Sequence, residues 1–343
     1  MRKNVIKIIG LIPLMILITL ALKTEVSASE LNFSVKTIIP HNQIDTQKSY
    51  FDLQLTPNQD QILVVQLSND TEKAVTVQPD IHSAFTNLNG LVEYGKNIKK
   101  TDPSLHYDIK NLITTASEVT IPAKSVINLE LQLDSPKEKF HGVIAGGITF
   151  KEKTPKEEVQ TNTNSISINN EYAYIIGIVL HSSKAFVEPK LQLASITPDQ
   201  VNSRNVISVN IRNIQPIYMN RMTISSEIMQ KGKQRILYQS YSEKLQMAPN
   251  SNFDYPIYLK DKMPSGNYTL NMTAKSMGRT WYWTEDFSIS KNQANELNDK
   301  DVTIDKSFIW HYVLLGLITL ITMCIIIIIV NRRKKDEQEE EIR

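Results

Sequence analysis

Histidines are the side chains best suited to bind a metal ion or to move a proton, and the chain contains six of them. None stands two or four positions from another, which is the spacing that brings two imidazole rings to one metal ion. Isolated histidines are typical of ordinary strand and loop positions. The pattern therefore predicts no metal site and no cofactor at His41, His82, His106, His141, His181 and His311.

Motifs for nucleophilic catalysis and phosphate binding are missing as well. The sequence contains no GxSxG turn and no glycine-rich loop that leads into a helix. Its closest glycine cluster, Gly142 with Gly146 and Gly147, lacks the required spacing. We interpret this cluster as part of a strand or bulge that another backbone approaches closely.

Two close pairs of carboxylates could in principle act as acid and base on a glycan, Glu285 with Asp286 and Asp299 with Asp301. Adjacent residues of a strand point to opposite faces, however, and the second pair lies in a polar stretch. We therefore predict a protein without catalytic residues. A cell-wall hydrolase is kept as a remote alternative.

The single cysteine, Cys324, lies within an apolar run near the C-terminus. The rest of the chain consequently has no disulfide, no thiolate nucleophile and no metal ligated by cysteine. Exported eukaryotic domains of this length usually contain paired cysteines. The composition therefore favours a bacterial surface protein, from a Gram-positive organism.

The N-terminus has the order of a secretory signal. Basic residues precede an apolar run, and small residues follow it up to Ala28. This predicts a signal peptide over residues 1–28 that is cleaved between Ala28 and Ser29. An uncleaved membrane anchor is the alternative, but the apolar run is slightly short for one.

The second apolar run, residues 308–330, is about 34 Å long as a helix and can cross a bilayer. Trp310 and Tyr312 stand at its outer edge, where aromatic side chains prefer the headgroup level. A basic cluster at its inner edge belongs in the cytoplasm, and residues 331–343 form a cytoplasmic tail. The prediction is a single-pass type I protein of the cell membrane with residues 29–307 outside. The cluster consists of Arg332, Arg333, Lys334 and Lys335.

The formal net charge of +2 is concentrated in the basic flanks of the two apolar runs. The exported part is close to neutral, so it lacks the excess of Lys and Arg that binding to phosphates requires. We expect no nucleic acid among its partners, and contact with lipid through the one span.

The exported part has the period-two pattern of β-strands. In residues 281–289 the odd positions Trp281, Trp283, Phe287 and Ile289 are apolar and the even positions are polar, which indicates a strand with one buried face. Turn signals such as Asn89-Gly90 separate runs of this kind. The fold class predicted is mainly β, with two tandem immunoglobulin-like β-sandwich domains followed by one C-terminal transmembrane helix.

Composition divides these domains. The first is expected over residues 31–155 and the second over 171–290, with a polar linker or loop at 156–170 between them. Residues 172–180 are apolar on both faces and could instead pair with 141–150 across that loop, which would move the boundary by one strand. A polar stretch at 291–307 is interpreted as a stalk above the membrane.

Aromatic side chains are the remaining candidates for binding. Trp281 and Trp283 could stack on sugar rings. They lie, however, on the same face of the strand as the apolar Phe287 and Ile289, which favours a place in the core. We predict exposed contacts at Tyr255, Tyr258 and Tyr282, because tyrosine combines contact area with a hydroxyl group.

Taken together, these segments resemble the WxL-interacting proteins of Gram-positive bacteria. The resemblance rests on the sequences at 40–43, 50–53, 57–69 and 89–94, on HGVIAGGITF at 141–150, and on the sequences at 247–253, 264–268 and 281–287. It implies a first domain that binds peptidoglycan and a second that binds host or partner proteins, beside WxL-domain surface proteins. It carries over no catalytic residue and no individual peptidoglycan contact.

The leading hypothesis is a membrane-anchored scaffold and adhesin. Its first domain would hold peptidoglycan, and its second would hold WxL-domain surface proteins or host extracellular-matrix proteins. The alternative is a non-catalytic assembly chaperone or tether that presents a free sheet edge at residues 172–180.

Overall fold

The structure is a computed structural model that describes residues 31–97, 101–153, 172–304 and 309–341. The signal segment with Ala28 and Ser29, and the polar segment 156–170, lie outside the described residues. The chain is mainly β, as predicted, and ends in one long apolar helix.

The first domain is a sandwich of two sheets. One sheet has the strand order β1-β3-β9-β7 and the other has the order β2-β11-β10-β4-β8, while β5 and β6 form a separate hairpin. A short 3-10 helix, Ile109–Asn111, lies between the two sheets, where Ile109 is buried in the core. The strands are β1 (Ser34–Ile38), β2 (Phe51–Gln54), β3 (Gln61–Asn69), β4 (Val75–Ser83), β5 (Phe85–Thr86), β6 (Val92–Glu93), β7 (Ile113–Thr114), β8 (Val119–Ile121), β9 (Ser125–Leu133), β10 (Val143–Glu152) and β11 (Ala173–His181).

Alternation of apolar side chains builds the core of this domain. Every second residue is buried between the sheets from Leu63 onward in β3 and from Leu129 onward in β9, and so are inward residues of β2, β10 and β11. Each such side chain stabilises the fold by about 1.5–3 kcal/mol. Large side chains that are fully buried in this domain include Phe51, Phe150, Leu63, Leu131 and Ile148.

Strand β11 lies in a sheet of the first domain, which moves the boundary by the one strand that the sequence left open. It pairs antiparallel with β10, where Ile176 faces Ile148, and parallel with β2, where Ile178 faces Phe51. The pairing with 141–150 across the polar segment, which the sequence left open, is the one observed. One face of β11 covers the core, where Ile176, Ile178 and Leu180 are buried, and the other face carries Ile175, which is 53% exposed, and Val179.

The second domain is also a two-sheet sandwich, with strand orders β12-β13-β16 and β15-β14-β17-β18. Its core contains Phe253, Ile257, Leu270 and Met272 from facing strands. Trp281, Trp283 and Phe287 pack against this core, as their parity predicted. The strands are β12 (Leu191–Val201), β13 (Arg204–Asn213), β14 (Met219–Gln230), β15 (Ile236–Met247), β16 (Ser251–Tyr258), β17 (Gly266–Ser276) and β18 (Arg279–Ile289).

The polar stretch after β18 is folded onto the second domain, in contrast to the stalk expected there. It forms helix α1 (Lys291–Lys300), whose first turn is closed by a capping box between Ser290 and Gln293. Ala294 is buried, and the Asn298 side chain accepts from the Met263 amide and donates to the Met263 carbonyl. Helix α1 packs on the second domain with few apolar residues because side-chain hydrogen bonds also attach it there.

Helix α2 (Ile309–Glu341) contains the apolar segment Val313–Val330, which is long and apolar enough to cross a membrane. The other described residues leave the side chains of Val313–Val330 exposed, Cys324 among them. The predicted interface residues Trp310, Tyr312, Arg332, Arg333, Lys334 and Lys335 lie on this helix, and only their backbone is described.

Candidate functional site

The two domains meet through backbone and small side chains. The Val143 amide donates to the Pro216 carbonyl at 2.7 Å, and the Gln246 amide donates to the Gly90 carbonyl at 2.6 Å. Ala84 and Ala145 of the first domain pack with Ala248 of the second. Because the packed groups are small, the backbones approach closely and the junction is well defined.

An ion pair also connects the two domains at this junction. Arg212 on β13 donates two hydrogen bonds to Asp102, whose carboxylate is fully buried. Burial opposes ionisation of Asp102, but hydrogen bonds from Arg212, Ser104 and Asn252 outweigh it and lower the pKa of the carboxyl to about 2. The pair therefore stays ionised at neutral pH. Asp102 lines a cavity of about 390 Å³ that is also lined by Thr86 and Ser251.

A larger groove, of about 840 Å³, lies beside the junction, and we call it the junction groove. Its floor is the outer face of β10 and β11, formed by Val143, Ile175, Gly177 and Val179. Gly177 has no side chain, so the floor is open at its centre. Ile175 is 53% exposed there. The volume falls within the usual range for ligand sites, which is about 300–1,000 Å³.

Three tyrosines form the walls of the junction groove. Tyr50 precedes β2, Tyr94 follows the β5–β6 hairpin, and Tyr218 comes from the second domain. Tyr94 reaches the floor because Gly147 lacks a side chain; a Cβ added at Gly147 would lie 2.7 Å from the Tyr94 Cβ. The glycine cluster predicted to accept a close backbone or neighbour does so here.

The hydroxyl groups of Tyr94 and Tyr218 lie 3.3 Å apart, across the boundary between the domains. Burial, reinforced by Tyr94, raises the pKa of Tyr218, so this phenol stays neutral at physiological pH. Each hydroxyl can both donate and accept a hydrogen bond. The pair therefore offers neutral polar groups to a ligand in the groove.

One end of the junction groove holds three charged or titratable groups. Asp52 accepts a hydrogen bond from Lys48 at 2.7 Å and lies 2.8 Å from Nε2 of His181. The hydrogen bond to Asp52, and then the contact with Tyr50, raise the pKa of Lys48. The charge of Asp52 is thus balanced within the protein. Over the described residues, no group of three or more His, Cys, Asp or Glu side chains could hold a metal ion.

The prediction of an exposed contact at Tyr255 is wrong. Tyr255 is only 3% exposed, and its hydroxyl is hydrogen-bonded to Ser240 at 2.8 Å and to Ser242 at 3.0 Å. Its ring points inward because it shares the parity of Phe253 and Ile257 on β16. The hydroxyl is satisfied inside the sandwich and is not available to a partner.

The other two predicted tyrosines are exposed but lie apart. Tyr258, 50% exposed, ends β16, while Tyr282, 74% exposed, lies on β18 of the opposite sheet. Neither lines the junction groove. The structure therefore does not bring the predicted contacts into one site.

Sequence reasoning missed the junction groove because its residues are dispersed along the chain. Its side chains extend from Lys48 to Gln246 and come from both domains. The one local signal is Gly177, a glycine inside an otherwise apolar strand, which often marks the close approach of another group.

A fold of two joined β-sandwiches, with an aromatic and polar groove where they meet, defines a binding protein assembled from two modules. Residues 33–152 match the family model for the WxL Interacting Protein, peptidoglycan binding domain, and residues 163–299 match the model for the host binding domain of the same family. The chain belongs to the WxL-interacting protein family, which confirms the family and the domain order expected from the sequence. The second match begins before β11, although that strand lies in the sheet of the first domain.

No curated protein matches this chain. Similar solved structures include the class 5 fimbriae chaperone CfaA, which is 13% identical and aligns over 74% of this chain and 98% of its own, with a TM-score of 0.30. The YadV chaperone is 10% identical over 75% of this chain and 100% of its own, also with a TM-score of 0.30. A PapD-like domain of human CEP192 is 9% identical over 48% and 94%, with a TM-score of 0.27. Likenesses at these TM-scores carry no argument about function.

Proposed function

We propose that this chain is a membrane-anchored surface protein that attaches to peptidoglycan and presents its second domain to WxL-domain surface proteins or host extracellular-matrix proteins. The observation that carries the proposal is the order of the two family matches along a chain that ends in an apolar helix. Both modules bind, so one molecule can connect the wall to a second protein.

The proposed orientation is type I. Segment Val313–Val330 crosses the membrane, and the basic cluster that begins at Arg332 remains in the cytoplasm. Trp310 and Tyr312 lie at the outer interface. The signal peptide is removed between Ala28 and Ser29, which leaves residues 29–307 on the surface of a Gram-positive cell.

The alternative of an assembly chaperone or tether requires a free sheet edge at residues 172–180. Strand β11 is paired along its whole length with β10 and at residues 178–181 with β2, so an unpaired edge is confined to residues 173–177. The hydrolase alternative is not favoured. Asp286 forms an ion pair with Lys231 and accepts from Thr269, an arrangement typical of a strand surface.

Sedimentation with purified sacculi tests the wall-binding half of the proposal. The full chain in detergent should pellet with sacculi, and bovine serum albumin in the same detergent should remain in the supernatant. Retention of the full chain in the supernatant at all salt concentrations would contradict peptidoglycan binding.

Cross-linking in cells tests the partner-binding half. A photoreactive residue in place of the exposed Tyr282 should trap a mature WxL-domain protein, whereas the same residue in place of the buried Tyr255 should not.

Protease treatment of intact cells tests the orientation, because a C-terminal tag should be protected while the sandwich domains are digested.

A further inference from the structure

We propose that the junction groove binds the glycan strand of peptidoglycan, and that the second domain completes this site. The proposal rests on the function proposed above and assigns it to a place in the fold. The groove combines a floor without a central side chain, at Gly177, with tyrosines from both domains.

The charges in the groove favour the glycan over the stem peptides. Lys48 and Asp52 neutralise each other, and Glu93 at the rim leaves the groove neutral to slightly negative. Stem peptides carry free carboxylates, which Glu93 would repel. The glycan strand is uncharged where the lactyl group is joined to the peptide, so it enters such a groove without that cost.

The shape and lining of the groove suit sugar rings. Tyr50, Tyr94 and Tyr218 surround the floor, and tyrosine rings supply rigid apolar area next to a hydroxyl. Ile175, which is 53% exposed, offers an apolar surface to the methyl of an N-acetyl group. Ligand sites of this kind are mostly apolar with a few placed polar groups that fix orientation.

The second domain adds polar groups to those that the first domain supplies. Tyr218, Asn220 and Gln246 all line the groove, and the Gln246 amide donates to Asn220 at 3.3 Å. This bond orients the two amides and leaves the Asn220 nitrogen and the Gln246 oxygen with capacity for a ligand. The peptidoglycan site therefore extends beyond residues 33–152.

The test fills the groove instead of removing its contacts. A Cβ at Gly177 would lie 3.8 Å from the Tyr50 side chain, an ordinary contact, and the β-branched side chain of valine suits a strand position. In Gly177→Val this side chain would occupy the centre of the floor. Thr120→Val is the matched control, because Thr120 is exposed at the far edge of the same sheet and outside the groove.

The probe is peptidoglycan glycan released from its stem peptides by an amidase, with the lactyl carboxylates that this hydrolysis frees converted to amides. Free stem peptides are the second probe. The wild-type chain in detergent should bind the glycan, Gly177→Val should bind it at least tenfold more weakly, and Thr120→Val should bind it unchanged. Tyr218→Phe keeps the ring and should weaken binding severalfold, which provides a second variant if Gly177→Val unfolds at a lower temperature.

The outcomes separate this inference from the function on which it rests. If the wild-type chain binds no sacculi, the proposed function fails. If it binds sacculi while folded Gly177→Val and Tyr218→Phe bind the glycan as the wild type does, the site is elsewhere. If the wild type binds stem peptides but not the glycan, the assignment of the glycan to this groove is overturned.

Discussion

Arg212 of the second domain donates two hydrogen bonds to Asp102 of the first, from Nε to Oδ2 and from Nη2 to Oδ1, both 2.7 Å long. The Asp102 carboxylate is fully buried and also accepts from the Asn252 side chain at 3.1 Å. A guanidinium that binds a carboxylate with two parallel bonds fixes angle as well as distance. This pair therefore sets how the domains are oriented beside the junction groove.

Replacement of Arg212 by alanine should weaken the junction. The change leaves the buried charge of Asp102 without its main partner, and such a truncation costs roughly 2–5 kcal/mol. We expect a lower unfolding temperature and a broader distribution of interdomain distances, measured by thermal denaturation and by small-angle scattering. Arg212→Lys is the matched control for charge; because lysine cannot form both bonds, it should recover only part of the loss. Unchanged scattering for Arg212→Ala would contradict the role given to this pair.

The Arg212–Asp102 pair should stabilise the protein less as the pH falls. The pKa of Asp102 falls from 3.8 to about 2 on folding, so its stabilising contribution is complete above about pH 4 and is lost as pH falls toward 2. The difference corresponds to about 2 kcal/mol. Unfolding free energies between pH 5 and pH 2.5 should fall more steeply for the wild type than for Asp102→Asn, which cannot titrate at this position. Parallel slopes would show that another group is responsible.

Gly142 should not tolerate a side chain. It has a φ of +75°, and a Cβ would lie 2.2 Å from the Pro216 carbonyl oxygen, which accepts from the Val143 amide. Gly142→Ala should therefore push Pro216 away from Gly142 at the junction of the domains. It should lower the unfolding temperature more than Gly232→Ala does. Gly232→Ala is the matched control, because Gly232 has a φ of +77° but open space around it. That control should cost only the backbone strain of about 1–2 kcal/mol. Equal losses in the two variants would mean that contact with Pro216 is unimportant.

Much of the fold was predictable because strand parity is a local property. The inward positions of β18, including Trp281 and Trp283, follow directly from alternation. The same rule, applied to β16, would have placed Tyr255 beside Phe253 in the core, but tyrosine was assigned by its chemistry instead of its position. Helix α1 was missed because its attachment depends on Asn298 and on partners distant in sequence.

The candidate site was not predictable from spacing. Tyr50 and Tyr218 reach the same groove only after β11 has joined the first domain and the second domain has docked. Nothing in the sequence near either tyrosine specifies that arrangement. Family resemblance indicated what the modules bind, whereas the place of binding required tertiary structure.

The Tyr255 hydroxyl should contribute to stability and not to partner binding. Tyr255→Phe removes the hydroxyl that Ser240 and Ser242 share, and loss of one buried hydrogen-bonding group costs about 1–3 kcal/mol. The exposed Tyr258 is the matched control, and Tyr258→Phe should leave the unfolding temperature unchanged. Binding of a WxL-domain protein at a temperature where both variants are folded should be equal for Tyr255→Phe and the wild type. Selective loss of binding in Tyr255→Phe would contradict its placement in the core.

The first domain should fold only when β11 is included. A fragment ending at residue 150 lacks Ile176, Ile178 and Leu180, which are buried in its core, and leaves β2 without its strand neighbour β11. At about 1.5–3 kcal/mol for each side chain, this loss is comparable to the whole stability of a domain, about 5–15 kcal/mol.

We therefore expect residues 29–182 to unfold cooperatively on heating and residues 29–150 to show no cooperative transition by circular dichroism. Residues 29–170 provide the matched control for length, because that fragment adds the polar segment but not the strand, and it should behave like 29–150. A cooperative transition in 29–150 would mean that β11 is dispensable to the first domain. The same result in 29–170 alone would assign the missing stability to the polar segment instead of the strand. Only 29–182 is therefore expected to serve as an isolated first domain in peptidoglycan-binding experiments.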